Sequence, residues 1–248
     1  MVGTKVTFAP GLDPALIAIE MPNTAAVTEI EAAFLEHRLY VLDDMQWDAD
    51  IKVIRSGLVK KHRDFKAPFS EKEPAKPVRK QVRNLIAHAE RLFAQLYPSF
   101  KSIETRTSFR PMVTGPEPLH FDTYGGLNPM VTAYINVSSV PRVYNIGPNF
   151  PALARDQPDL MREIALLAAE RGDADLSYVI RQRTAENLPP LDNNTPRHRV
   201  ELAPGAIWFF NAKTVSHEVV YGEGTVGVSW EVPGCGAQMQ ADILKGIA

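Results

Sequence analysis

"RVELAPGAIWFFNAKTVSHEVVYGEGTVGVSWEV", Arg199 to Val232, is the stretch whose reading decides the fold. It consists of four short runs rich in Val, Ile, Phe and Trp, cut by Pro204-Gly205 and by Gly222 and Gly224. Runs this short, with turns this frequent, are strands of a sandwich or barrel rather than helices. Trp208, Phe209 and Phe210 alternate across one strand, so some of them are core, and Trp230 shares a face with Val228 and Val232. Upstream, "SIETRTSFRPMV", "MVTAYINVSS" and "RVYNIG" have the same texture from about Ile103 onward. A helical interlude over 151–187 separates the two groups of strands. It falls where long insertions form lids over a site or subdomains outside it.

Before Ile103 the chain reads largely helical. "NTAAVTEIEAAFLEHRLYVLDD" opens on Asn23 and Thr24 as N-caps, puts Val27, Ile30 and Phe34 on one face, and ends in a strand-like "LYVL". A charged, Pro-punctuated connection follows. "VRKQVRNLIAHAERLFAQLY" is the clearest helix, with Val82, Leu85, Ile86, Phe93 and Leu96 at helical spacing. The expected fold is mainly β with bracing helices. The expected organisation is one domain over 1–248: helical support to 102, a β core over 103–232 carrying the insert, and a tail over 233–248.

Composition narrows the functions. A chain of 248 residues buries a core without disulfides or a structural metal. The net charge of -2 gives no bulk attraction to nucleic acid or anionic membrane. The single cysteine, Cys235, rules out an internal disulfide and suits a reducing cytoplasm; it reads as a small packed residue. No signal peptide, no membrane span and no repeat of 20 to 50 residues is legible. The expected partner is a small molecule, with a homodimer as the assembly considered.

"EPLHFDTYGG", 117–126, carries His120 and Asp122 two apart. Spacing alone proves little: with 6 histidines and 29 acidic residues, about 0.7 such pairs arise by chance. The chain has three. His88 and Glu90 lie on the strong helix, where residues two apart point to different sides. His62 and Asp64 sit in a run of mixed charge that reads as a solvated loop. His120 and Asp122 follow a strand-like segment, and on a strand residues i and i+2 face one side. His217, on a later strand, is the third ligand of choice; His37 reads as helical and His198 as part of a proline-rich loop. Two histidines and one carboxylate form the facial triad of non-heme Fe(II) oxygenases. Gly125 and Gly126 supply a turn and leave space beside the ion.

The order His-x-Asp, a Pro-Gly strand ending in aromatics, then a distal His resembles the Fe(II)/2-oxoglutarate-dependent oxygenases over about Ile103 to Val232. Within that family "RTSFRP…LHFD…YINVSSVPRVYNIG…FPAL" is most similar to the Kdo hydroxylases, which act on a lipopolysaccharide sugar. The resemblance implies a double-stranded β-helix, a cupin-like jelly roll. It implies Fe(II), 2-oxoglutarate and O2 as cofactors, with His120, Asp122 and His217 on the iron. One departure stands out. The family carries an arginine about ten residues after the distal histidine, with Ser or Thr two beyond, to clamp the far carboxylate of 2-oxoglutarate. Here Gly227 takes that place, with Ser229 two beyond it. Arg110 and Arg142 are the cations able to replace it, since arginine offers carboxylate a bidentate fork. Arg106 shares a strand face with Arg110 and is a candidate for substrate, as are Tyr124, Tyr134 and Asn136. Tyr134 and Asn136 read equally as packed polar residues. The expected activity is oxidation of a C–H bond of a small anionic molecule. Two alternatives are an iron enzyme that does not use 2-oxoglutarate and a non-catalytic jelly-roll binding module.

Overall fold

The computed structural model describes residues 3–20, 27–58, 75–110, 117–123, 128–170, 176–185, 191–233 and 241. Eleven strands are formed among them. In chain order they are β1 (Lys5–Thr7), β2 (Ile17–Glu20), β3 (Leu39–Leu42), β4 (Glu104–Arg110), β5 (Glu117–His120), β6 (Met130–Asn136), β7 (Arg142–Asn149), β8 (His198–Leu202), β9 (Ile207–Asn211), β10 (Val215–Tyr221) and β11 (Thr225–Glu231). They make two sheets, ordered β1-β8-β7-β10-β5 and β2-β3-β9-β6-β11-β4. The last eight strands cross repeatedly from one sheet to the other, and within each sheet they pair antiparallel. This is a jelly-roll arrangement, as the family resemblance implies and within the sandwich-or-barrel reading of the run Arg199–Val232.

Period-2 alternation sorts the side chains. On the inner faces, Trp208, Phe210, Tyr134 and Val41 of the larger sheet meet Tyr144, Ile146, Val200 and Val219 of the smaller one in a single core. On the outer face of the larger sheet, Val226, Val228, Trp230, Phe109 and Phe209 pack under α3 (Lys76–Leu96). That helix buries Val78, Val82, Leu85, Ala89, Leu92, Phe93 and Leu96, and its Phe93 ring stacks on Trp230 at 4.4 Å. Helices α1 (Val27–Leu35) and α2 (Ile51–Ser56) complete this layer. Three helices follow β7: α4 (Phe150–Asp156), α5 (Pro158–Glu170) and α6 (Leu176–Ala185).

The N-terminal region is less helical than its sequence suggests. Only "LYVL" was legible as a strand; β1 and β2 were not. They hold 3 and 4 residues, too few to show a period, and are strands because they extend existing sheets, β1 on β8 and β2 parallel to β3. His37 lies past the end of α1, with a left-handed φ of 56°. His198 is the first residue of β8 and fully buried, not a loop residue. The cap at Asn23 and Thr24, the pair His62/Asp64, Cys235 and most of the charged connection lie outside the described residues. No described helix is long and apolar enough to cross a membrane.

Candidate metal centre

β5 and β10 run side by side, with His120 directly opposite His217. Alternation along the first of these segments turns Leu119 and Phe121 outward into a separate core, leaving His120 and Asp122 for the opposite side. The three side chains therefore converge. Asp122 Oδ1 lies 3.3 Å from His120 Nε2 and 3.8 Å from His217 Nε2, and the imidazole centroids are 4.6 Å apart. One donor atom from each lies within 4.8 Å of the others, the only such His/Cys/Asp/Glu group of three among the described residues.

Each ring is held by its other nitrogen. His120 Nδ1 donates to the Pro118 carbonyl at 2.6 Å and His217 Nδ1 to the Val215 carbonyl at 3.1 Å. With both Nδ1 atoms on carbonyls, each Nε2 is turned toward Asp122, the nitrogen a metal ligand would present. The Asp122 amide donates to the Ala212 carbonyl at 2.8 Å, pinning the carboxylate to the turn before His217. Phe210 meets the His217 ring edge-on at 5.0 Å and Tyr144 lies nearly parallel to it at 6.3 Å. Burial lowers the His217 pKa, more than Asp122 raises it, and the neighbouring His120 lowers it further. Burial also pulls on His120, but the bonds to Asp122 and to the Pro118 carbonyl outweigh it and leave that pKa raised.

Two imidazole nitrogens and one carboxylate, gathered on one side, fit a divalent transition metal with open positions. Neighbouring ligand atoms around such an ion, at bonds of about 2.1 Å, sit roughly 3 Å apart. The two carboxylate–imidazole spacings, 3.3 and 3.8 Å, approach that value.

The other described histidines are engaged elsewhere. His198 Nδ1 accepts from the Ala9 amide at 3.0 Å and its Nε2 contacts the Asp13 carbonyl at 2.9 Å. His88 Nδ1 accepts from the Asp48 amide at 3.0 Å. His37 Nδ1 meets Thr214 Oγ1 at 2.8 Å.

Arg142 is the arginine that the barrel buries; Lys213, in the turn before β10, is buried too at 4 % exposure. At 1 % exposure Arg142 makes no ion pair with a described residue. Its Nη1 donates to Thr225 Oγ1 at 2.7 Å, its Nη2 reaches Tyr144 Oη at 3.5 Å, and the guanidinium lies 5.1 Å from the Tyr144 ring centre. Its Nε has no hydrogen-bond partner, nor has the Nε1 of fully buried Trp208, whose ring sits 5.5 Å from Tyr144. Tyr144 thus stands between Arg142 and His217. Neither Tyr144 nor Thr225 was singled out from sequence. A tyrosine and a threonine in strands carry no signal of their own, and only register reveals them.

Arg110 and Arg106 do share a face of β4, opposite Thr225 and Ser229 of β11. Both are half-exposed. Arg110 lies 3.9 Å from Glu117, and Arg106 forks onto Glu104 with bonds of 2.9 and 3.0 Å. Ser229 Oγ is 3.4 Å from Thr132 Oγ1 on the same face. Tyr134 is packed against Trp208 and Phe210. Asn136 is a buried residue bonded within the protein. Its amide donates to the carbonyls of Val140 and Leu202 and accepts from the Ser138 amide, so it is spent on a turn. Tyr124 and the two glycines after it lie outside the described residues. Gly227 now has a physical reason. A Cβ there would come within 2.7 Å of Ser108 Oγ and 3.0 Å of the Tyr134 ring, so the space an arginine would enter is already filled.

No family model matches the sequence, and no curated protein does. Solved structures do match. The apo form of the Kdo hydroxylase KdoO, described as a non-heme Fe(II) alpha-ketoglutarate-dependent dioxygenase, superposes with a TM-score of 0.59 at 15 % identity, over 93 % of this chain and 91 % of that one. Its complex with cobalt(II) gives 0.59 at 14 % identity, over 92 % and 91 %. Its complex with alpha-ketoglutarate and Fe(III) gives 0.59 at 14 % identity, over 93 % and 92 %. The fold is that of KdoO. The likeness takes in the N-terminal region and the insert as well as the barrel.

Proposed function

We propose that the chain is an Fe(II)- and 2-oxoglutarate-dependent oxygenase that hydroxylates or otherwise oxidises a C–H bond of a small, anionic molecule. The observation that carries this reading is the convergence of His120, Asp122 and His217 with both Nδ1 atoms on carbonyls and both Nε2 atoms turned toward the carboxylate. The fold shared with KdoO agrees with it. Iron bound there would supply the activation of O2, with 2-oxoglutarate providing two electrons and leaving as succinate and CO2.

The chain's own residues do the rest. The Pro118 and Val215 carbonyls orient the two imidazoles, and Ala212 holds Asp122. Arg142 clamps the far carboxylate of the co-substrate, taking the part that Gly227 cannot. A guanidinium taken out of water without a counter-charge is costly, and a carboxylate delivered to it restores the balance. Thr225, Tyr144 and the unpartnered Trp208 Nε1 are the further polar groups at that depth. Arg110, Arg106 and Ser229, on the half-exposed side of the same face, would meet an anionic substrate there, with Arg106 and Arg110 also facing Glu104 and Glu117. Aromatic and aliphatic walls around Tyr144, Trp208 and Phe210 exclude water.

Anaerobic Fe(II) with 2-oxoglutarate should give a weak visible charge-transfer band, abolished in His120→Ala. Failure of the wild-type chain to bind iron sinks the proposal. Gly227 favours a second reading, an iron oxygenase that takes all its electrons from the substrate. Turnover with O2 and Fe(II) alone, without succinate, would select it.

A further inference from the structure

Among the described residues, the buried apolar core of the helical insert takes in the ligand segment of the barrel. Phe150, Leu153, Met161, Ile164 and Val179 of the insert gather around just two residues of the ligand segment, Leu119 and Phe121. Those two alternate with His120 and Asp122. Phe121 is 1 % exposed, and its ring meets the fully buried Phe150 edge-on at 4.8 Å. Arg181 of α6 adds a contact of 3.3 Å to Thr123, the residue after Asp122.

The backbone holds this segment loosely. Among the described residues β5 is the edge of its sheet, paired with β10 alone. Two residue pairs register it, His120 with His217 and Glu117 with Val219, and the register shifts between them. Four residues hydrogen-bonded on one side do not fix a strand to the tolerance a metal site requires. Packing on the other face has to supply what the pairing lacks. The turn before β10 links the same parts: its Ala212 carbonyl takes the Asp122 amide, and its Thr214 carbonyl takes the Phe150 amide at 3.0 Å.

We infer that the insert is the positioning element of the metal centre. Its seating on Leu119 and Phe121 sets the spacing of His120 and Asp122 from His217, with Phe150 as the positioning residue at the joint. The inference rests on the metal reading above. Since coupling between two events is reciprocal, metal binding must tighten the insert as much as the insert tightens the metal site.

Cobalt(II), stable in air, is the probe, added to the metal-free full-length chain. Hydrogen exchange should slow at least threefold across α4, α5 and α6, while the β1–β8 pair at the far edge of the same sheet stays unchanged. By calorimetric titration, Phe150→Leu and Val179→Ala should each weaken cobalt binding tenfold or more. Leu166→Ala, at a 62 % exposed position of α5, should leave it unchanged. Wild-type affinity in both core variants, with only the melting temperature lowered, makes the insert an ordinary scaffold and overturns the inference. So does an insert whose exchange ignores cobalt. A wild-type chain that takes up no cobalt overturns the metal reading, and the coupling with it.

Discussion

Arg142 holds a full charge inside the barrel with Thr225 and Tyr144 as its hydrogen-bond partners. Arg142→Met removes the charge and keeps the bulk. It should leave Fe(II) affinity intact and weaken 2-oxoglutarate at least tenfold, read from the co-substrate titration of the visible band. Arg142→Lys should recover part of the loss. Gly222→Ala reaches the same result indirectly, because its Cβ would fall 2.7 Å from Arg142 Cγ and push the side chain aside. His37 gives a prediction of another kind. Burial lowers its pKa from 6.5 to about 4. Above pH 6.5 it is neutral folded or unfolded and changes nothing. As pH falls from there toward 4, the unfolded chain takes up a proton that the folded chain refuses, so stability is lost. Between pH 7 and 5 the loss is about 2 kcal/mol. His37→Asn, tolerant of the left-handed backbone, should remove that slope in denaturant titrations. At this scale the sequence is informative for residues whose type is rare. His120, Asp122 and His217 could be picked out because few side chains bind metal. Tyr144, Thr225 and Asn136 could not be sorted, since the same residue packs, caps a turn or lines a pocket according to its neighbours.

Helix α3 and the larger sheet hold each other through the Phe93–Trp230 stack. Phe93→Ala should cost about 3–5 kcal/mol in chemical denaturation and leave metal affinity unchanged, because that core lies on the outer face of the sheet. Elements with a long period were plain in the sequence: α3, the insert helices, and the strands from β6 to β11. Elements defined by a partner were not. β1 and β2 have no pattern of their own, and three or four residues become a strand only where a neighbour offers an edge. His198 looked like part of a proline-rich loop for the same reason. Its place in β8 comes from pairing with Ile146 of β7 and from Ala9 and Asp13 reaching both ring nitrogens.

A molecule whose native state alone binds metal gains stability by mass action. Cobalt(II) at 100 times its dissociation constant should add about 2.7 kcal/mol, which for a chain of this size raises the melting temperature by roughly 5–10 °C. His217→Ala should melt at the same temperature with and without the ion. The opposed pair His120 and His217 also bears on how the chain reaches its native state. These residues are 97 positions apart and meet only when β10 has docked beside β5. Loops of that length close late, after local hairpins and helices have formed. A partly made chain leaving the ribosome therefore offers its histidines singly, never as a set. If the site holds iron as proposed, only a finished barrel would capture it, and a misfolded copy would carry no centre from which stray oxidants could escape.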